Sequence, residues 1–147
     1  MFKHILVPTD GSPLSRKATR AAAKLAKSMS AKLTSIHVSA PYRIVAYDFY
    51  VPPALLKPID YDVAIAKSAA RFLGQAETIC RNAGVAWEGV HTIGDDPSRA
   101  ILAAARRKRC DLILMASHGW RASTAVILGS EANKLLTRSK IPVLIYR

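Results

Sequence analysis

Apolar and polar residues form blocks along this chain that predict strands and helices in turn. Short apolar runs predict strands at 4–8, 32–38, 85–91, 111–116 and 143–146. Longer segments with helical spacing predict helices at 13–30, 60–83, 97–106 and 130–138. The expected apolar stripes are Leu14, Ala18, Ala21, Leu25 and Met29 in the first helix, and Val63, Ala66, Ala70, Leu73 and Cys80 in the second. Strands and helices therefore alternate strictly.

This alternation predicts an α/β fold in which parallel strands, joined by right-handed crossovers, form one doubly wound sheet with helices on both faces. With 147 residues and no internal repeat, the chain fits a single domain, residues 1–147. Ligands bind such sheets outside the carboxyl ends of the strands, where the winding direction reverses. The polar loops 8–12 and 116–130 both follow strand ends, so we expect the functional site there.

The charge balance is strongly basic. The sequence has 22 Lys and Arg against 10 Asp and Glu, a formal net charge of +12 that attracts polyanions or phosphorylated ligands. The densest cluster, 106–109, falls where a helix is expected to end, and interaction with the helix dipole accounts for it without a partner. Since neither an RNA-binding aromatic set nor a recognition-helix pattern is present, we do not expect nucleic acid to be the main partner.

Cysteine usage and hydropathy favour an intracellular protein. Cys80 and Cys110 show no CxxC spacing and are expected to be buried or half-buried free thiols. The N-terminus lacks the pattern of a secretory signal, and no run reaches the roughly 18 apolar residues of a membrane helix. We therefore expect a cytoplasmic protein with no membrane segment.

The connection 39–60 is long and contains four prolines and several aromatic residues. Connections of this length usually have a function. A lid over the cleft, a dimer contact and plain packing over the sheet edge are three interpretations that the sequence leaves open.

The loop after the fourth strand, within MASHGWRASTAVILGSEANK (115–134), is the best candidate for chemistry. Backbone N–H groups approach a phosphate closely where no side chain intervenes, which Gly119 and Gly129 allow. Ser130 opens a helix whose N-terminus adds free donors and positive charge. The loop fits neither a Walker A nor a GxGxxG pattern. Taken alone, two glycines in a long loop are weak evidence for phosphate binding, since glycines ordinarily serve turns and helix starts.

Four stretches together resemble the universal stress proteins of the UspA type: ILVPTDGS, IHV, DLILMASHG and GSEANKLLTRSKIPVLIYR. The resemblance covers essentially the whole chain. It implies a Rossmann-like five-stranded parallel sheet of order 3-2-1-4-5, with the loops after strands one and four meeting in one cleft. It also implies a homodimer formed through the last strand, Val143–Tyr146, whose apolar edge would otherwise invite uncontrolled pairing.

The ATP-binding members of that family carry a glycine, two residues, a glycine, nine residues, and a glycine followed by Ser or Thr. Carried over by position, the second and third glycines are Gly119 and Gly129 and the hydroxyl residue is Ser130, whereas the first position is Ala116. The resemblance places Asp10 near the ribose and phosphates and gives Val38 a main-chain contact with adenine. The full expected site is Pro8, Thr9, Asp10, Val38, Ala116, His118, Gly119, Gly129 and Ser130.

The resemblance therefore predicts a regulatory stress-response protein that binds ATP, AMP or another adenine nucleotide, with Mg²⁺ on the phosphates as an option. Ala116 is tolerated if the end of the strand has an extended backbone, and costs strain if that position needs a positive φ. The alternative is the nucleotide-free branch of the family, which is also dimeric. A slow ATPase is a weaker alternative. Neither His37 nor His91 belongs to a metal-binding motif, and the sequence shows no Ser-His-Asp or Cys-His arrangement.

Overall fold

A computed structural model describes residues 1–42, 58–120 and 128–147. Nine elements follow one another in these ranges. They are β1 (His4–Pro8), α1 (Pro13–Ser28), β2 (Lys32–Ser39), α2 (Pro58–Ala83), β3 (Trp87–Ile93), α3 (Pro97–Arg107), β4 (Leu112–Ala116), α4 (Ser130–Arg138) and β5 (Val143–Tyr146). Most of the connection 39–60 lies outside the described residues, so its three interpretations stay open.

The five strands form one parallel sheet in the order β3-β2-β1-β4-β5, which confirms the predicted topology. β1 pairs with β2 from His4 opposite Lys32 to Pro8 opposite Ile36. Because β2 continues to Ser39, its carboxyl end projects beyond that of β1. This overhang forms one wall of the site described below.

Two apolar cores cover the two faces of the sheet. On one face α1 buries alanines, and α2 buries Cys80, against Ile5, Val7 and Leu33. On the other, α3 and α4 pack Ile101 and Leu135 with their neighbours against the sheet. Both predicted free cysteines are buried, and burial raises the pKa of each thiol to about 11.

Side chains close the first turns of α1 and α3. The Ser12 hydroxyl accepts a hydrogen bond from the Ser15 N–H at 3.1 Å, and the Asp96 carboxylate accepts from the Arg99 N–H at 3.2 Å. Each helix continues with proline at its first position, Pro13 and Pro97, where no hydrogen bond is lost. Ser12 and Asp96 are therefore the N-caps of these two helices.

The predicted position of β3 is wrong by two residues. The N–H of Val85 donates to the carbonyl of Cys80 at 2.9 Å, so 84–86 completes the end of α2 rather than starting a strand. β3 therefore runs to Ile93 instead of ending at 91.

The predicted helix stripes also need correction. In α1 the buried positions are centred on Ala22 rather than Ala21. In α2, Val63, Ala66 and Ala70 are exposed, and the buried face carries Ala69, Ala76 and Cys80. A helix of 26 residues is about 39 Å long and outruns the strands beneath it, so its first turns have no sheet to pack against. Within the described ranges no helix combines the length and the apolar character needed to cross a membrane.

Candidate functional site: the cleft between the loops after β1 and β4

The loops that follow β1 and β4 meet over the end of the sheet and enclose a cleft of about 620 Å³. This volume lies within the range of roughly 300–1,000 Å³ that is usual for small-molecule sites. All nine residues of the expected site line this cleft: Pro8, Thr9, Asp10, Val38, Ala116, His118, Gly119, Gly129 and Ser130. The structure thus brings them together, while their role in binding stays a prediction.

Asp10 and Gly119 fix the distance between the two loops. One carboxylate oxygen of Asp10 accepts a hydrogen bond from the Ser12 N–H at 2.9 Å. Its other oxygen lies so close to Gly119 that a Cβ there would overlap it. Gly119 does not have a positive φ. Space for the carboxylate is therefore what position 119 requires.

Gly129 is needed for a similar reason at the other end of the loop. Its N–H donates to the carbonyl of Ser117 at 2.6 Å. A Cβ on Gly129 would lie 3.0 Å from that carbonyl oxygen and 3.2 Å from Cα of His118. Its φ of −68° is open to any residue, so close packing of backbone on backbone, and not conformation, selects glycine here.

The start of α4 differs from the starts of α1 and α3. Its N-cap is Gly129, which offers no side-chain acceptor. The first N–H groups of the helix, at Ser130 and the residues after it, are thus left without a capping side chain, and they lie at the cleft. Free donors at the positive end of a helix form a natural place for an anion.

Ala116 sits in this site without strain. It is the last residue of β4, pairs with Tyr146 of β5 and is 7% exposed. Among the described residues the only non-glycine positions with positive φ are Ser30 and Arg109. The expectation of an extended backbone at position 116 is therefore confirmed, and the alanine costs only the room taken by one methyl group.

Val38 lies on the overhang of β2. The carbonyl of Ile36 accepts a hydrogen bond from the Thr9 N–H at 2.9 Å, so Ile36 directs its backbone groups towards β1. Alternate residues of a strand point their backbone groups to the same edge, so Val38 does likewise. β1 has already ended at Pro8, and the N–H and carbonyl of Val38 consequently face the cleft.

The histidines at the cleft make local structural contacts. His37 Nδ1 lies 2.8 Å from the carbonyl oxygen of Thr9, and its ring meets Phe72 edge to face at 5.0 Å. His118 Nδ1 lies 3.0 Å from the Ser117 hydroxyl oxygen. Both contacts stiffen the loops around the site.

Trp120 is a cleft residue that sequence reasoning missed. Its indole N–H donates to the carbonyl of Asp10 at 2.8 Å, which ties the two loops together, and 62% of the residue is exposed. The sequence did offer a signal: a tryptophan directly follows the loop glycine, and a large aromatic side chain in a polar loop usually packs on a neighbouring loop or a ligand.

Glu131 was missed as well. Its carboxylate accepts hydrogen bonds from the Ser98 N–H at 2.9 Å and from Lys134 Nζ at 2.7 Å, so α4 supplies an acceptor for the first turn of α3. With Asp10, it gives the cleft two carboxylates, whereas none of the lining residues that the structure describes is Lys or Arg. In those same ranges no three His, Cys, Asp or Glu side chains gather as a metal site.

This arrangement is suited to holding a ligand that is anionic at one end and planar at the other. Gly119 and the uncapped N–H groups at the start of α4 line the anionic end, and the backbone edge of Val38 offers one donor and one acceptor to a heterocycle. Ile36, Ile101 and Met115 line the space between them. The specificity of such a site comes from main-chain groups rather than from charged side chains.

Comparison with known proteins agrees with this architecture. The model of the universal stress protein family matches residues 1–147. The universal stress protein YxiE of Bacillus subtilis is 33% identical to this chain over the full length of both. A universal stress protein solved with cAMP superposes with a TM-score of 0.70 at 23% identity, covering 99% of this chain and 97% of that one.

The universal stress protein of Archaeoglobus fulgidus, solved with dAMP, superposes with a TM-score of 0.68 at 18% identity, and the match covers 99% of this chain and 98% of that one. At these identities the two solved structures are evidence of a shared fold. The full-length family match and the relative from Bacillus subtilis go further: the chain belongs to the universal stress protein family.

Proposed function

We propose that this protein binds an adenine nucleotide, in the first place ATP, and acts as a regulatory protein whose surface depends on that occupancy. The observation that carries the proposal is the convergence of Gly119, Gly129 and the uncapped start of α4 on one cleft. Relatives of the same fold have been solved with cAMP and dAMP, which supports adenine as the base.

In the proposed complex the phosphates lie against the N–H groups at the start of α4. Adenine reaches the backbone of Val38, and the ribose passes Asp10. Since the described lining carries two carboxylates and no basic side chain, Mg²⁺ on the phosphates reduces the repulsion that free ATP would meet. ATP is therefore expected to bind more tightly with Mg²⁺ than without it.

Calorimetric titration of the nucleotide-stripped protein with ATP and Mg²⁺ tests this proposal. Wild type is expected to bind in the micromolar range. Gly129→Val places a branched side chain against the backbone of Ser117 and His118, and is expected to weaken binding at least tenfold.

Gly74→Ala is the matched control for that titration. Position 74 lies inside α2 and has no atom within 4 Å of the added Cβ, so binding should remain within twofold of wild type. Absence of binding by a folded wild type, for ATP and AMP alike, would contradict the proposal and assign the chain to the nucleotide-free branch.

We also propose that the active form is a homodimer built on β5. This strand is at the edge of the sheet, and Leu144 on it and Leu136 on the neighbouring α4 are 43% and 45% exposed. An exposed apolar sheet edge is a ready template for pairing with a strand of another chain. Sedimentation equilibrium should give a dimer for wild type and a monomer for Leu144→Glu; a monomeric wild type at tens of micromolar would contradict the assignment.

A further inference from the structure

Basic side chains collect at the end of the sheet opposite the cleft. We define the basic end as the exposed Lys and Arg residues that surround the amino ends of the strands: Lys3, Lys24, Lys27, Lys32, Arg81, Arg106, Arg107, Arg109 and Lys140. In a parallel sheet the amino ends of all strands share one edge. The backbone contacts agree with this, because Lys32 N–H donates to the carbonyl of Lys3 and Asp111 N–H to that of His4, both at 3.0 Å.

Acidic side chains do little to neutralise this end. The acidic residues near it in the described ranges are Glu77, Glu88 and Asp111. Glu88 is paired with Lys108, and Asp111 accepts hydrogen bonds from the backbone N–H groups of Lys3 and His4. The remaining acids of the described ranges lie towards the cleft end: Asp10, Asp60, Asp62, Asp95, Asp96 and Glu131. Within the described ranges the acidic residues therefore lie mainly at the cleft end, which leaves the basic end with a net positive charge.

Helix dipoles account for only part of the basic end. Lys27, Arg81, Arg106 and Arg107 lie in the last turns of their helices, where cations are favoured. Lys3 precedes β1 and Lys32 begins β2, so no dipole explains these two, whereas Lys140 follows the end of α4 by two residues. The sequence showed only the run 106–109; the fold adds the lysines of three strands to it.

We propose that the basic end is a docking surface for the phosphate backbone of duplex nucleic acid, bound without sequence preference. Adjacent strands lie about 4.8 Å apart, so the edge from β3 to β5 spans about 19 Å. A duplex presents about one negative charge per 1.7 Å of its axis, or about eleven along that length. The four arginines of the surface offer planar forks that match phosphate oxygens.

Duplex nucleic acid fits this surface better than single strands or a lipid surface does. Binding of single strands relies on exposed aromatic side chains for stacking, and none of the exposed large apolar residues in the described ranges is an aromatic at this end. Anchoring in a membrane needs apolar side chains that insert, and the exposed ones near this end are Met1 and, at the β5 edge, Leu136 and Leu144, which the proposed dimer would cover. Charge is what this surface offers, and a phosphate backbone is the ligand that charge alone recognises.

Fluorescence anisotropy with a labelled 30-base-pair duplex of arbitrary sequence, at 50–300 mM salt, tests the proposal. Five phosphate contacts predict a slope of about −4.5 for log affinity against log salt. The variant Arg106→Gln, Arg107→Gln, Arg109→Gln should reduce the steepness by about three and weaken binding at least tenfold at 100 mM salt.

A matched control removes the same charge elsewhere. Lys17→Gln, Arg20→Gln, Lys67→Gln changes three exposed residues that lie outside the basic end. Binding by this control should stay within twofold of wild type. Equal losses in both triple variants would overturn the proposal, since net charge rather than the surface would then govern binding.

Two further experiments cover a variant that fails to fold and a lipid partner. If the arginine variant does not melt cooperatively, Lys3→Gln, Lys27→Gln, Lys32→Gln replaces it, because these side chains are exposed and outside the α3 terminus. Cosedimentation with phosphatidylserine vesicles covers the rival partner. Vesicle binding that the variant loses, together with no duplex binding by wild type at 100 mM salt, would overturn the nucleic-acid assignment in favour of a lipid surface.

Discussion

The carboxyl end of the sheet carries loops that surround a cleft, whereas at the amino end the chain turns back within a few residues. The connections at the amino end are 29–31, 84–86, 108–111 and 139–142. At the carboxyl end, 117–129 and 40–57 are several times longer. Both ends are built by the same four crossovers, so they differ in loop length and in charge and not in topology.

The doubly wound fold thus separates two kinds of surface. Long loops bring glycines and backbone donors from different strands to one concave site, where side-chain charge is mostly acidic. At the amino end the connections are short, and beyond a smaller cavity of about 440 Å³ beside 84–86 the basic side chains stand on an open surface. Recognition at one end therefore depends on shape, and at the other on the density of charge.

Substituting the glycines with positive φ is expected to give the largest difference in unfolding free energy between the two ends. Gly11 at the cleft end has φ +75°, and a Cβ there would overlap the Phe72 ring. Gly84 at the amino end has φ +70° but no atom within 4 Å of that Cβ. Gly84→Ala should cost about 1–2 kcal/mol of strain. Gly11→Ala adds overpacking and should cost about 2–4 kcal/mol in urea unfolding.

Equal losses of unfolding free energy in these two variants would show that the overlap with Phe72 adds nothing to the cost of a positive φ. Adding Phe72→Ala to Gly11→Ala separates the cost of that overlap from the cost of the backbone strain. The double variant should recover part of the extra cost, because the ring no longer opposes the new methyl group.

Ala116→Gly addresses the departure from the family pattern, with a smaller expected effect. Glycine within a strand costs about 0.5–1 kcal/mol relative to alanine, so unfolding free energy should fall by that amount. Because Ala116 is unstrained, ATP affinity in the same calorimetric assay should change less than about threefold. A gain of tenfold or more would mean that the methyl group, and not the rest of the cleft, limits binding.

His4 gives the smallest expected effect, a pH dependence at the amino end. It is 4% exposed, and burial, together with the charge of Lys32, lowers its pKa below the ordinary value, although Asp111 and Glu88 oppose this. The unfolded chain therefore takes up a proton on His4 at higher pH than the folded one. Unfolding free energy should be highest above about pH 6.5 and fall as the pH drops below it.

Urea unfolding between pH 5 and 8 measures this dependence. His4→Gln should lose part of the slope, and a remainder is expected from His91, whose pKa burial and the charge of His37 lower in the same direction. An unchanged slope in the variant would exclude His4 as a source of the pH dependence.

Much of the fold was predictable because it depends on local pattern. The alternation of apolar runs with helical segments predicted the parallel sheet, and the family resemblance implied its order and the residues that line one cleft. Failures arose where tertiary context decides. The exposed start of α2 depends on how far the sheet extends beneath it, and the bond from Trp120 to Asp10 joins residues that are 110 positions apart.

The length of β1 makes the two ends independent. Five residues hold the cleft and the basic end about 16 Å apart, about twice the screening length of about 8 Å at physiological ionic strength. The electrostatic effect of a charge that binds at one end is therefore largely screened by salt at the other end. Loading the cleft with ATP should leave the affinity for a duplex unchanged, so the molecule can report on its nucleotide while it remains fixed in place.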